Sequence, residues 1–126
     1  MSQEIETIFR CNGVEYSFDA RDADDAEKFE KALENMAETE KTLPKEGRLS
    51  TIYRAHCETI KQFFDDIFGE GAGIAICTEK SNVTVHYDAY DELLKLVRSQ
   101  RNDVTRATNK YSAHRRKKKH NNKQKK

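Results

Sequence analysis

The alternation of apolar and polar positions is clearest near the N-terminus, on both sides of Asn12-Gly13. Asn-Gly favours the positive φ angles of a type I′ turn, whose twist matches that of two antiparallel strands. If these two residues form the turn, the pairs on one side are Cys11 with Val14, Phe9 with Tyr16, and Thr7 with Phe18. Arg10 and Glu15 then pair on the other side with opposite charges. The pattern predicts a hairpin with one buried and one exposed side.

A three- and four-residue spacing of apolar positions predicts a first helix from about Asp22 to Lys41. Its apolar stripe is Ala26, Phe29, Leu33 and Met36. Acidic residues crowd its start, where carboxylates cap free amides and complement the helix dipole. Most other positions are Glu or Lys, so we expect the remaining faces to lie in solvent. Pro44 and Gly47 then interrupt the chain.

A second helix is predicted from about Leu49 to Phe68, with a wider apolar face than the first. That face comprises Leu49, Ile52, Tyr53, Ile60, Phe63, Phe64, Ile67 and Phe68. Its four aromatic rings predict that this helix forms the centre of the core. The following Gly69, Gly71 and Gly73 do not open a helix after a strand, as phosphate-binding loops do. We interpret them as a helix stop and a tight reversal.

The last part of the body is harder to assign. Residues 74–77 are apolar and are compatible with a strand or a helical turn. Ser81 or Asn82 is the predicted N-cap of a final helix ending at about Arg101, although the Val-Thr-Val at its start favours a strand. The predicted fold class is α+β: a hairpin packed on about three helices over residues 1–103, followed by a disordered basic arm over residues 104–126.

Charge is distributed unevenly between these two parts. All 22 acidic residues lie at or before Asp103, whereas residues 114–126 contain 8 Lys or Arg and no carboxylate. The first 113 residues therefore carry a net charge of −7 and the last 13 a net charge of +8. A cationic arm binds polyanions without reading sequence, but an acidic body repels a phosphate backbone. Nucleic acid, an acidic protein and another copy of this chain all remain candidate partners.

The sequence does not predict an enzyme, a metal site or a bound cofactor. Three cysteines lack the close spacing of a metal clamp, and the adjacent Asp65 and Asp66 diverge on a helix. His56 and His86 have no catalytic partner at a suitable spacing, so we interpret them as core or boundary residues. The chain has neither a membrane span nor a signal-peptide core, so we expect a cytoplasmic protein.

Several segments resemble a family of small uncharacterised proteins from phages and prophages of Gram-positive bacteria. They read FFDDIFGEG at residues 63–71, NGVEYSFDA at residues 12–20, and YDAY at residues 87–90 after Asn82. The ending NKYS at residues 109–112, followed by two arginines, is similar to the basic ends of phage tail-assembly proteins. The resemblance covers nearly the whole chain, and it departs from the family pattern at residues 74–80.

The resemblance implies a tail assembly chaperone of a long-tailed phage, acting in the host cytoplasm. Such a protein would cover the helical tape measure protein until tail-tube subunits polymerise around it. The predicted partner-binding residues are Phe63, Phe64, Ile67, Phe68, Arg115, Arg116, Lys117, Lys118 and Lys119. Core packing is the alternative use of the four apolar residues. The alternative function is that of a nucleic-acid-associated phage accessory protein acting through the arm, and self-association into a homo-oligomer stays open.

Overall fold

The computed structural model describes the backbone of residues 5–124 and the side chains of residues 5–112. In chain order the elements are β1 (Ile8–Cys11), β2 (Val14–Ser17), α1 (Ala23–Glu40), α2 (Leu49–Phe68), α3 (Ala72–Cys77) and α4 (Val83–Gln124). The predicted α+β class, a hairpin packed on helices, is confirmed. Within the described residues there is one helix more than expected, because residues 72–77 form the short α3.

The hairpin has the predicted turn and register. Asn12 has φ 49° and Gly13 has φ 84°, the positive angles that a type I′ turn requires. β1 and β2 pair antiparallel, with Phe9 opposite Tyr16. Phe9 is buried in the core, and the polar partners of the opposite side are exposed. The two-sided pattern of the sequence therefore fixes which side of the hairpin packs on the helices.

The first two helices begin and end where local chemistry predicts. Asp22 caps α1 by accepting a hydrogen bond from the amide of Asp25. α2 covers Leu49–Phe68, the predicted span, and Gly69 follows it with φ 107°. This positive φ favours glycine and lets the chain turn away from the helix axis.

α2 lies at the centre of the core, between α1 and α4. Phe63 of α2 contacts Phe29 of α1 and Tyr90 of α4, with ring centroids 6.1 Å and 5.2 Å apart. On the hairpin side, Phe64 of α2 stacks against Phe9 at 5.8 Å. One helix therefore joins both neighbouring helices and the hairpin through aromatic contacts.

α1 and α4 run in opposite directions along α2. At one end, the Arg21 guanidinium just before α1 lies 2.8 Å from the Asp103 carboxylate of α4. At the other end, Leu43, which follows α1, and Tyr87, near the start of α4, line the same depression. The chain beyond Asp103 therefore leads away from α1.

The glycine loop brings α3 into close contact with α2. A Cβ on Gly73 would lie 2.3 Å from the carbonyl oxygen of Lys61 in α2, closer than any side chain can approach. The Gly73 amide donates to the Asp65 carboxylate at 2.7 Å, so a protein carboxylate already caps the start of α3. The Asn12 side chain of the hairpin turn donates to the Ile76 carbonyl at 2.6 Å. Gly69 therefore ends α2 as the sequence indicates, whereas Gly71 and Gly73 belong to the start of α3.

α4 begins as predicted but does not end as predicted. Asn82 caps it, with its side-chain oxygen accepting from the Val85 amide at 3.2 Å. The predicted end at about Arg101 is wrong, because the helix continues to Gln124. Helical hydrogen bonds are local, and Ala, Arg, Lys and Gln are good helix formers, so the extension needs no apolar partner. The predicted boundary at residues 103/104 therefore falls inside α4, and disorder of the arm stays a prediction.

A buried glutamine ties α4 to both ends of the hairpin. The Gln100 side-chain nitrogen donates to the carbonyl oxygens of Glu6 at 2.9 Å and Phe18 at 2.7 Å. Its side-chain oxygen accepts from the Ala20 amide at 2.7 Å. The Gln100 side chain is fully buried, so these three bonds satisfy its own polar atoms as well as three backbone groups of the hairpin ends.

Candidate partner-binding groove

The four apolar residues predicted to contact a partner lie in the core of the folded chain. Phe63, Phe64 and Ile67 have exposed fractions of 1%, 0% and 6%. Phe68 is partly buried and stacks on Tyr16 with ring centroids 4.8 Å apart. Core packing, the alternative use of these residues, is what the described structure shows. Of the four, Phe63 also reaches the floor of a groove on the surface.

The five basic residues predicted to contact a partner lie in the extension of α4. They are Arg115, Arg116, Lys117, Lys118 and Lys119. Their backbone belongs to the helix, but their side chains lie outside the described residues. Their contact with a partner therefore stays a prediction.

A groove runs along the junction of α1 and α2. It holds a cavity of about 220 Å³ whose apolar walls and floor come from both helices and the segment after α1. These apolar residues are Met36, Leu43, Ala55 and Phe63, and polar residues at the rim include Asn35, Glu58, Gln62 and Asp66. An apolar floor with a polar rim is the surface that an amphipathic helix recognises.

A second depression of about 500 Å³ adjoins this cavity at Leu43. It is lined by Glu40, Leu43, Pro44, Lys45, Ile52, His56 and Tyr87. We call the two depressions together the α1–α2 groove. Because Leu43 belongs to both, an apolar segment lying along the groove could insert neighbouring side chains on either side of this leucine.

Hydrogen bonds hold the rim of the groove in place. Asp66 accepts from Gln62 at 2.8 Å on its own helix and from Asn35 of α1 at 3.4 Å. In the second depression, the His56 ring nitrogen Nδ1 and the Tyr87 hydroxyl lie 2.9 Å apart. Burial raises the pKa of Tyr87, so this hydroxyl keeps its proton at neutral pH. The rim is therefore polar but locally satisfied, while the floor stays apolar.

The buried ionisable groups are held in their neutral forms. His86 is fully buried, and its Nδ1 lies 2.7 Å from the Asn82 carbonyl oxygen, so Nδ1 carries the proton. Burial lowers the pKa of His86 because the protein interior disfavours the imidazolium. Burial also raises the pKa of Cys77 to about 12, so its thiol is not a nucleophile at neutral pH. These groups contribute to packing in the described structure.

Neither a metal cluster nor a membrane-crossing helix is found in the part of the chain that the structure describes. No group of three or more His, Cys, Asp or Glu side chains there converges on a common point. No described helix combines the length and apolar character needed to cross a bilayer.

The sequence predicts the two helices that form the groove, but it does not predict the groove between them. Met36 was assigned to the apolar stripe of the first helix, whereas Leu43 and Ala55 carried no signal. Leu43 lies in the connection just before Pro44, and Ala55 is too small to mark a contact surface. The spacing of α1 and α2 exposes both residues, and this spacing depends on tertiary packing. A leucine directly before Pro44, outside both predicted helices, is the local sequence feature that indicates an apolar contact at this place.

The chain matches the model of a family of unknown function (DUF6673) over residues 12–123. The matched region includes the hairpin turn, α1, α2, α3 and nearly all of α4. No curated protein and no solved structure matches the chain.

Proposed function

The chain belongs to the DUF6673 family, and we propose that it is a phage tail assembly chaperone that binds the tape measure protein during tail morphogenesis. The observation that carries this proposal is the α1–α2 groove, with its apolar floor and polar rim. The floor offers Met36 and Leu43 to an apolar ridge of a helical client. The identity of the client rests on the resemblance of residues 12–20, 63–71 and 109–112 to phage tail-assembly proteins.

The size of the groove favours a weak, reversible contact. A cavity of about 220 Å³ accepts one or two aliphatic side chains. Burying each contributes roughly 1.5–3 kcal/mol, so two give about 3–6 kcal/mol before the costs of association. Even without those costs, that range corresponds to dissociation constants of only about 40 μM to 6 mM, so a single groove binds weakly. Weak individual contacts suit a chaperone that covers a long client with many copies and must leave when tube subunits arrive.

Co-expression tests this function directly. A phage tape measure protein produced together with this chain is expected to stay soluble, and the same protein produced alone is expected to precipitate. The variant Leu43→Lys places a charge in the floor of the groove and should abolish this protection. A matched control is Ile74→Lys, because Ile74 is 52% exposed on α3, outside the groove. If the client precipitates equally with and without this chain, the proposal is wrong.

The second candidate function is that of a nucleic-acid-associated phage accessory protein, which the basic end of the chain favours. Residues 114–126 carry +8 and could bind a polyanion through counterion release. Chains ending at residue 113 and full-length chains should be compared for DNA and RNA binding at two salt concentrations. Binding that is strong, salt-sensitive and dependent on residues 114–126 would favour this function over the chaperone.

A further inference from the structure

The outer surface of α1 carries a stripe of like charges. Glu30, Glu34 and Glu38 follow one another at four-residue spacing, so they lie on one face of the helix. All three are exposed. α1 as a whole has seven acidic residues and two lysines, a net charge of −5. We call these three glutamates the acidic stripe.

Ion pairs neutralise only part of the negative charge of the acidic stripe. Lys41 forms an ion pair with Glu38 at 2.9 Å, but among residues 5–112 no ion pair reaches Glu30 or Glu34. Like charges at this spacing oppose helix formation. A cationic segment lying along the stripe would remove this repulsion.

The matching positive charge lies at the other end of the same chain. Residues 114–126 carry +8 with no carboxylate, opposite in sign to the −5 of α1. As part of a helix, residues 114–124 extend about 16 Å at 1.5 Å per residue, shorter than the roughly 27 Å of α1. The basic segment is therefore opposite in charge to α1 and short enough to lie along it.

The direction of α4 separates these segments within one molecule. Asp103 contacts Arg21 beside the start of α1, and from there α1 and the end of α4 lead in opposite directions. At the rise of a helix, Glu34 lies about 17 Å to one side of this point and Arg115 about 18 Å to the other. A continuous α4 therefore carries the basic residues roughly 35 Å from the acidic stripe of its own chain.

We propose that the acidic stripe of α1 is the docking surface for the basic segment, residues 114–126, of a second copy of this chain. The contact is reciprocal: the basic segment of each copy lies on α1 of the other, so the same two surfaces are used twice around a two-fold axis. The contact is electrostatic and exposed, so it weakens as salt screens the charges. It leaves the α1–α2 groove open and does not depend on the identity of any client.

Salt-dependent self-association of the nuclease-treated full-length protein tests this contact. Sedimentation should show a dimer at about 50 mM salt and a shift toward monomer at about 500 mM, with the dissociation constant rising by at least about tenfold. A protein that is monomeric at both salt concentrations would overturn the proposal. So would a dimer that is lost on nuclease treatment, because nucleic acid would then be the partner of the basic segment.

Charge exchange identifies the two surfaces. The triple variant Glu30→Lys, Glu34→Lys, Glu38→Lys brings α1 from −5 to +1. The quintuple variant Arg115→Glu, Arg116→Glu, Lys117→Glu, Lys118→Glu, Lys119→Glu brings residues 114–126 from +8 to −2. Each variant should be monomeric. Mixing the two should restore a dimer, because each then offers a segment whose charge is opposite to that of the other's α1. The control variant Glu46→Lys, Glu70→Lys, Glu79→Lys makes the same change in net charge at exposed positions outside α1 and should still dimerise.

Circular dichroism separates these outcomes from misfolding. All substituted positions on α1 are exposed, so each variant should keep the helical signal and melting temperature of the parent chain within a few degrees. Two well-folded monomeric variants that fail to combine would refute the assignment of the surfaces, even if the parent chain dimerises.

Discussion

Replacing Gln100 by methionine should detach the hairpin from α4. Methionine has a similar length and fills the same space, but it can neither donate to the carbonyl oxygens of Glu6 and Phe18 nor accept from the Ala20 amide. Gln100 is fully buried, and the bond to the Phe18 carbonyl is buried as well. The substitution therefore removes three hydrogen bonds at once without leaving a large cavity.

The expected cost follows from counting these bonds. Each intramolecular hydrogen bond contributes about 1 kcal/mol net, and a buried group left without a partner costs about 1–3 kcal/mol. Water can reach the partly exposed groups near Glu6 and Ala20 after the change. The larger cost of an unpaired buried group therefore applies only to the Phe18 carbonyl. The free energy of unfolding should fall by about 3–5 kcal/mol, which lowers the melting temperature by roughly 10–25 °C in a domain of this size.

Urea denaturation followed by circular dichroism measures this loss, with Gln62→Met as the matched control. The Gln62 side chain is exposed and makes one hydrogen bond to Asp66 on its own helix. Its replacement should change the free energy of unfolding by no more than about 0.5 kcal/mol. If Gln100→Met is as mild as the control, then Gln100 does not support the hairpin in the way the geometry indicates.

Three further substitutions test individual contacts in the structure. Gly73→Ala places a Cβ against the Lys61 carbonyl and should cost about 1–3 kcal/mol by equilibrium unfolding, despite the better helix propensity of alanine; an equal or higher stability would contradict the close contact of α2 and α3. Asp22→Ala removes the cap of α1 and should cost about 1 kcal/mol by the same assay, whereas no loss would mean that the cap is not formed in solution. Burial lowers the pKa of His86 from 6.5 in the folded chain, so as the pH falls the unfolded chain takes up the proton at a higher pH than the folded chain does. The free energy of unfolding should therefore be highest above pH 6.5 and fall as the pH drops below 6.5. That fall should disappear in His86→Gln and persist in His56→Gln, and a slope unchanged by the former would reject the assignment.

Local signals predicted the first half of the fold well. The turn at Asn12-Gly13 and the alternation around it determine the register of the hairpin, because a slip by one residue would expose Phe9. The span of α2 follows from its wide apolar face and from the glycine after Phe68. In these cases the information lies within a few residues of the element that it specifies.

The second half depends on contacts between distant positions. α3 is capped by the Asp65 carboxylate and fits only because Gly73 has no side chain, so residues 74–77 alone could not distinguish a strand from a helical turn. The β-favouring residues at the start of α4 become helical behind the Asn82 cap. The groove was missed for the same reason, since it is a gap between two helices rather than a property of either.

The three hydrogen bonds of Gln100 also set an order of events during synthesis. They join residues separated by 80 to 94 positions, so the hairpin emerges long before the residue that fixes it. At 5–20 residues per second, the ribosome takes about 4–19 s to add the residues in between. A two-stranded hairpin is barely stable alone, so its apolar side remains wet for most of that interval. The nascent hairpin is thus accessible to other apolar surfaces until α2 is made, and it is fixed by Gln100 only when the final helix is made.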